Sequence, residues 1–474
     1  MSSGLHRTEC AALHPAAGAA GGGTGGERQA AAPTIIVGLG RTGLSCARYL
    51  RARGEAVEVM DSRAHPPGLD ELRALLPEVP VHTGGFAGGI LQRAGRVVVS
   101  PGVALREPAI DSALAAGIPV LGDVELFARG ARAPVVAITG SNGKSTVTAL
   151  VGEMARAAGR DVRVGGNLGT PVLDLAGVEE PELYVLELSS FQLETTCSLR
   201  AAAATVLNLS ADHLDRYAGM DEYAAAKRRV FRGHGTMVIN LDDPRVAAMR
   251  EPARAAVGFG TGEPGSGDFG LLARGGETWL ARGGETLLRA DALALKGLHN
   301  AANALAALAL GHAVGLPMEP MLAALTAFRG LPHRCQLVAE ARGVRWYDDS
   351  KATNPGATLA AIRGMVGDCA GLVLIAGGDG KGADFTELGD YIAGHVRAAV
   401  LLGRDAPAIE SAIARRVPVL RVADMDAAVR AACELARGGD CVLLAPACAS
   451  LDMYSSYEER GRVFVAAVRA ETRL

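Results

Sequence analysis

Pro134-Val-Val-Ala-Ile-Thr-Gly-Ser-Asn-Gly-Lys-Ser-Thr146 decides the architecture of this chain. Its apolar, β-branched start reads as a buried strand. Gly140 and Gly143 then open a tight loop, and Val147, Leu150, Val151, Met154 and Ala158 recur behind it at helical spacing. In a strand–loop–helix of this kind, backbone N–H groups and the helix N-terminus converge on phosphate oxygens. Lys144 is expected to reach the β- and γ-phosphates, and the Ser145 hydroxyl to sit on Mg²⁺. The loop is the shorter form, because the general phosphate-loop pattern would put a glycine where Ile138 stands. Gly140, Ser141, Asn142, Gly143, Lys144, Ser145 and Thr146 are therefore the first candidates for binding ATP.

Working outward, three blocks each begin with a strand and then alternate strand and helix. The first opens at Thr34, with further strands at Ala56–Asp61, Arg96–Ser100 and Ile118–Leu121. The second opens at Pro134 and continues through Leu183–Leu188, Ala203–Leu209 and Gly235–Leu241. A Gly-rich stretch from Gly258 to Leu288 follows, read as a hairpin insertion, and then an Ala-rich helix over Asn300–Val314. The third block opens near Val344–Asp348 and continues through Leu372–Ala376, Ala399–Leu402 and Cys441–Ala445. Continuous apolar strands alternating with helices indicate parallel sheets covered on both faces. The expected fold is α/β in three domains: a Rossmann-like first domain over 33–122, a central P-loop ATPase-type domain with a parallel sheet over 123–330, and a Rossmann-like third domain over 331–474. The Ala/Gly-rich residues 1–32 are expected to form a disordered tail.

Composition narrows the class. The 474 residues are 21% charged and 49% hydrophobic, as in globular proteins, with a net charge of −3 from 48 basic and 51 acidic residues. No basic stripe points to nucleic acid. The most apolar stretch, Ala301–Leu316, carries Asn303 and His312 and is too short to cross a bilayer. A cytoplasmic protein without membrane insertion is expected, with a monomer as the default. The eight cysteines include no C-x-x-C pair, and Cys46, Cys369, Cys433 and Cys441 lie in apolar or Ala-rich surroundings. They read as buried thiols of a reducing compartment.

Gly38-Leu-Gly-Arg-Thr-Gly43 follows the first strand, and Asp61 ends the next. Taken alone this is a dinucleotide fingerprint, and a nicotinamide oxidoreductase is the rival it suggests. About four strands precede the ATP loop, so the second mononucleotide half is absent and a single nucleotide diphosphate fits better. Arg63 would add a charged contact to a phosphate or a base. In the second block, Glu187 sits at a strand end beside the phosphate loop, where Mg²⁺ would be gripped. His213, in Asp212-His-Leu-Asp215, follows the next strand at the same sheet edge. Lys227, in Glu222-Tyr-Ala-Ala-Ala-Lys227, reads by default as a solvated helix lysine.

Thr139–Thr146, Glu187-Leu-Ser-Ser-Phe-Gln-Leu-Glu194, Asp212–Asp215, His299-Asn-Ala-Ala-Asn303, Leu331-Pro-His-Arg334, Asp349-Ser-Lys-Ala-Thr-Asn354, Gly377–Lys381 and Pro446–Asp452 together resemble the Mur ligases over about residues 33–470. The resemblance is greatest to the members that add D-glutamate. It implies ATP-dependent joining of D-glutamate to UDP-N-acetylmuramoyl-L-alanine through an acyl phosphate, a step of peptidoglycan synthesis. Another Mur-type ligase, with a different amino acid, is the near alternative. The resemblance also implies two Mg²⁺ ions, with Ser145, Glu187, His213 and a carbamylated Lys227 as ligands. It implies Asn300, Asn303, Arg334 and Asp349 on the nucleotide. Thr42, Asp61, Arg63, Ser100, Gly102, Asn167 and Ser189 would hold the UDP-substrate, and Thr353, Lys381, Ser450, Leu451 and Tyr457 the D-glutamate. Tyr457 stands where these members usually carry Phe, which keeps an aromatic wall and adds a hydroxyl.

Overall fold

The computed structural model describes Leu13 and residues 32–167, 169–212, 216–295, 297–366 and 369–472. Apart from Leu13, which is buried in the first core, residues 1–31 lie outside the described residues, and so does His213. Three sheets follow one another along the chain.

The first sheet has five parallel strands in the order Val81–Thr83, Val57–Asp61, Thr34–Val37, Arg96–Val99, Val120–Leu121. That is one more than the sequence suggested. Val81–Thr83 is a short edge strand without a fully buried residue, so it carries no continuous apolar run. Thr34–Val37 lies between Val57–Asp61 and Arg96–Val99. Chain order reverses at that point, which opens a crevice at the strands' C-terminal ends.

The second sheet has nine strands. Val135–Thr139 lies between Leu183–Glu187 and Ala203–Val206, and all three run parallel. Their ends carry the phosphate loop, Glu187 and the Asn208–Asp212 turn to one edge. The Gly-rich stretch forms an antiparallel meander, Phe269–Arg274, Glu277–Arg282 and Glu285–Arg289, extending the far side of the sheet. The Ala-rich helix, Leu298–Ala313, packs on the helix Lys144–Ala157 that leaves the phosphate loop. Leu305 through Leu310 are wholly buried, so its small side chains allow neighbours on every side.

The third sheet has six strands, parallel apart from the edge hairpin of Gln336–Ala341 with Val344–Asp348. Here the structure corrects the cysteine expectation. Cys369 and Cys441 form a disulfide with Cα atoms 5.8 Å apart, and Cys197 is also disulfide-bonded. Cys441 pairs in register with Leu372, just past Cys369, so strand pairing brings the two thiols to bridging distance. Cys46 and Cys448 are buried free thiols, whereas Cys335 and Cys433 are half-buried. Among the described residues no helix is long and apolar enough to cross a membrane.

Candidate active site

Gly140 and Gly143 shape the phosphate loop by backbone geometry. Gly143 caps the helix Lys144–Ala157 at φ 82°, and a Cβ there would lie 2.4 Å from Asn303 Oδ1. A Cβ on Gly140, at φ 146°, would meet Leu207 Cβ at 2.9 Å. Both positions need glycine. The loop is tied down from behind. Ser141 Oγ donates to the Ser210 carbonyl at 3.1 Å, and the Asn142 N–H donates to Asn208 Oδ1 at 2.8 Å.

A cavity of 320 Å³ opens on this loop. Ser141 through Thr146, Asn167, Glu187, Asn300 and Asn303 line it from the second domain, and Arg334, Asp349, Thr353 and Lys381 from the third. Residues far apart in sequence are thus gathered at one place. Lys144 Nζ donates to the carbonyls of Gly140 and Ser141, each at 2.9 Å, and Arg334 donates to Ser145 Oγ at 2.7 Å. Burial lowers the Lys144 pKa, opposed by Glu187 and Asp212. Burial pushes Asp349 up to about 6, opposed by the Arg334 charge.

Glu187 is buried, with Oε1 accepting from Asn167 Nδ2 at 2.6 Å, while among the described residues Oε2 has no hydrogen-bond partner. Burial alone would raise its pKa, yet the Lys144 charge, the Ser145 hydroxyl and the Asn167 amide hold it below the usual carboxylate range. An ionised, buried carboxylate beside a phosphate loop is suited to a hard cation, as is Ser145 Oγ. Lys227 departs most from the default reading, since its side chain is only 2% exposed. Its Nζ donates to the Gly140 carbonyl at 2.8 Å and lies 4.6 Å from the centre of the Tyr223 ring. Burial, with Lys144 nearby, pushes its pKa well below that of an ordinary lysine.

A second cavity, of 630 Å³, occupies the first sheet's crevice and continues onto the second domain. Thr42, Asp61, Arg63, Ser100, Gly102 and Asn167 line it. Asp61 accepts from the Leu39 N–H at 2.7 Å and from Arg63 Nε at 2.9 Å. Burial opposes ionisation there, but these donors win and lower its pKa to about 2. Asn167 lines both cavities, and its amide is bonded to Glu187, which lines the first.

Some expected residues lie elsewhere. Ser189 does not line either cavity; it caps the helix Ser190–Glu194 in a capping box with Gln192, which does reach the second cavity. Ser450 is buried and Leu451 is exposed, and both lie outside the first cavity's lining. Tyr457 touches the site through Lys351, whose Nζ lies 3.8 Å from its ring centre. Lys351, Asn354, Asp212 and Cys335 line the first cavity without having been singled out. Lys351 and Asn354 stand inside the Asp349–Asn354 motif, which was the one signal available for them.

Family models match this three-part layout in order. Residues 32–122 match the Mur ligase MurD-like N-terminal domain, 138–311 the Mur ligase middle domain, and 333–448 the Mur ligase glutamate ligase domain. The chain belongs to the Mur ligase family. This Mur ligase is 58% identical to the UDP-N-acetylmuramoylalanine–D-glutamate ligase of Nitrosococcus oceani, over 93% of its own length and 97% of the relative's. It is 56% identical to the enzyme of the same name from Pseudomonas aeruginosa, over 92% and 97%. Among solved structures it resembles a UDP-N-acetylmuramate–alanine ligase from Thermotoga maritima, with a TM-score of 0.61 and 18% identity, over 93% of this chain and 99% of that one. At that identity the likeness concerns the fold of this Mur ligase alone.

Proposed function

We propose that this Mur ligase uses ATP to join D-glutamate to UDP-N-acetylmuramoyl-L-alanine, releasing ADP and phosphate. The observation that carries the reading is the near-full-length likeness to relatives bearing that activity in their name. Two adjoining cavities support it, one crossed by the phosphate loop and one in the first sheet's crevice, sharing Asn167.

A carboxylate is a poor electrophile, so the L-alanine carboxylate must be activated. Its oxygen attacks the γ-phosphorus, the bond to the bridging oxygen breaks, and ADP leaves. The D-glutamate amine then attacks the acyl carbon, loses a proton, and expels phosphate to leave an amide. Catalysis of this kind is mostly positioning and charge neutralisation. Lys144 carries positive charge at the phosphates. Asn300 and Asn303 hold the base side, and Arg334 and Asp349 hold the nucleotide from the third domain. Thr42, Asp61, Arg63, Ser100 and Gly102 hold the UDP group, and Asn167 the channel between the cavities, with Ser189 acting there through the helix it caps and its partner Gln192. Lys381 and Thr353 pair with the amino acid, whose pocket Ser450, Leu451 and Tyr457 complete.

Two Mg²⁺ ions would supply charge neutralisation on the phosphates, held by Ser145 and by Glu187, His213 and Lys227. Lys227 would serve as a ligand only after its amine has added CO2. Its burial favours the neutral amine that such an addition requires. The division into 33–122, 123–330 and 331–474, a monomeric state and a cytoplasmic location, where ATP and nucleotide sugars are found, belong to the same reading.

The decisive experiment labels the L-alanine carboxylate with oxygen-18. One label should appear in the released phosphate, and release should require D-glutamate. Unlabelled phosphate, or equal release without D-glutamate, would end the proposal.

A further inference from the structure

We propose that Lys351 is a third cation of the phosphoryl-transfer site, gripping the terminal phosphoryl group as it passes from nucleotide to acyl oxygen. The inference rests on the ligase reading above and adds a residue to it. Lys351 follows the strand Val344–Asp348 and lines the same cavity as Lys144, Ser145, Glu187 and Arg334. Its N–H donates to the His333 carbonyl at 3.2 Å, which fastens it to the segment carrying Arg334. The Tyr457 ring lies against the ammonium at 3.8 Å and limits the directions in which it can point.

The three cations differ in how they are satisfied. Lys144 is bonded to two loop carbonyls and Arg334 to the Ser145 hydroxyl. Among the described residues, no oxygen accepts a hydrogen bond from Lys351 Nζ and no carboxylate forms an ion pair with it. A half-buried ammonium without an anion is costly, and two neighbouring cations add to that cost. Burial, with Arg334 and Lys144, pushes its pKa down to about 8, while Glu187 and Glu458 act in the opposite sense. This is a place prepared for an arriving anion.

Two anions of the reaction compete for it, the terminal phosphoryl group and a D-glutamate carboxylate. Lys351 is fastened to the segment that carries Arg334, and Arg334 touches Ser145 of the phosphate loop, which places it on the phosphoryl side of the cavity. The phosphoryl group also spreads its charge over three oxygens in transfer, which suits several converging cations.

The test uses the full-length protein with Lys351→Met and Lys351→Arg, titrated calorimetrically with ADP and with a non-hydrolysable ATP analogue. Lys351→Met should weaken the triphosphate analogue about tenfold and leave ADP within about twofold. Retained ADP binding also shows that the variant is folded. Turnover should fall by about 10² with the KM for D-glutamate within about twofold, and Lys351→Arg should recover part of it. Equal weakening of both nucleotides, or a raised KM for D-glutamate at unchanged kcat, would overturn the assignment. Failure of the ligase reading looks different: the unaltered protein would release no phosphate in response to D-glutamate, while the contrast between nucleotides would remain.

Discussion

At Lys227 the chemistry depends on removal of water. The side chain stands near the end of the helix Met220–Arg228, where it would ordinarily be solvated, yet it lies beneath the phosphate loop against Tyr223. A buried ammonium is costly, so deprotonation is favoured, and the neutral amine is nucleophilic toward CO2. Lys227→Ala should lower turnover at least about 10²-fold while the affinity for an ATP analogue changes by less than about threefold. Protein equilibrated with ¹³C-bicarbonate should show a carbamate carbon signal that the variant lacks. A variant turning over at a near-native rate would remove the carbamate from the mechanism.

The helix Pro355–Met365 shows how one element joins two domains. Asn354 caps it, its Oδ1 accepting from the Ala357 N–H at 2.8 Å. The same side chain's amide nitrogen reaches Asn142 Oδ1 at 3.4 Å and Asp212 Oδ2 at 3.3 Å on the second domain. Pro355 at the first helical position and a glycine at 356, whose Cβ would lie 3.2 Å from Ser210 Oγ, let the helix start press close. Cap and bridge separate by substitution. Asn354→Ala removes both, and should cost about 1 kcal/mol of stability in denaturant unfolding. Asn354→Asp keeps a good cap but sets a carboxylate against Asp212, so it should retain stability yet lose turnover. Equal stability loss in the two variants would show that the amide bridge, not the cap, holds the helix.

The molecule divides unevenly. One apolar core runs from Ile36 and Leu50 through Phe127 to Leu186 and Met249, so the first two sheets share it. Asp174 reinforces the join, accepting from Ser45 at 2.7 Å and Arg48 at 2.8 Å. The two main cores of the third domain contain only its own residues. Its polar links to the rest include Arg334 to Ser145 and Asn354 to Asn142 and Asp212. Hydrophobic burial therefore welds the first pair, whereas among the described residues the third domain shares no apolar core with them. The third domain is the part expected to swing, carrying Lys351 and Lys381 to and from the nucleotide. Arg334→Ala should raise the radius of gyration of the ligand-free protein in solution scattering, and nucleotide should reduce it. Superimposable curves for native and variant would argue for a fixed arrangement.

Local pattern was enough for the phosphate loop, the three α/β blocks and the short strands within Gly258–Leu288, read as a hairpin where three strands form a meander, because alternation, apolar runs and glycine placement act over a few residues. It was not enough for the edge strands Val81–Thr83 and Val162–Gly166, which lack buried apolar runs. Nor did it reveal the Cys369–Cys441 bridge, whose two cysteines stand 72 residues apart in the chain. By itself the sequence determined a strand–loop–helix built to hold phosphate, and motifs whose order named the family. Only the tertiary structure decided that Lys227 loses its water, that Glu187 is buried beside the phosphate loop, and that Lys351 lines one cavity with Arg334 and Lys144. Burial and charge proximity arise from chain segments meeting across the fold, and no local window of residues contains them.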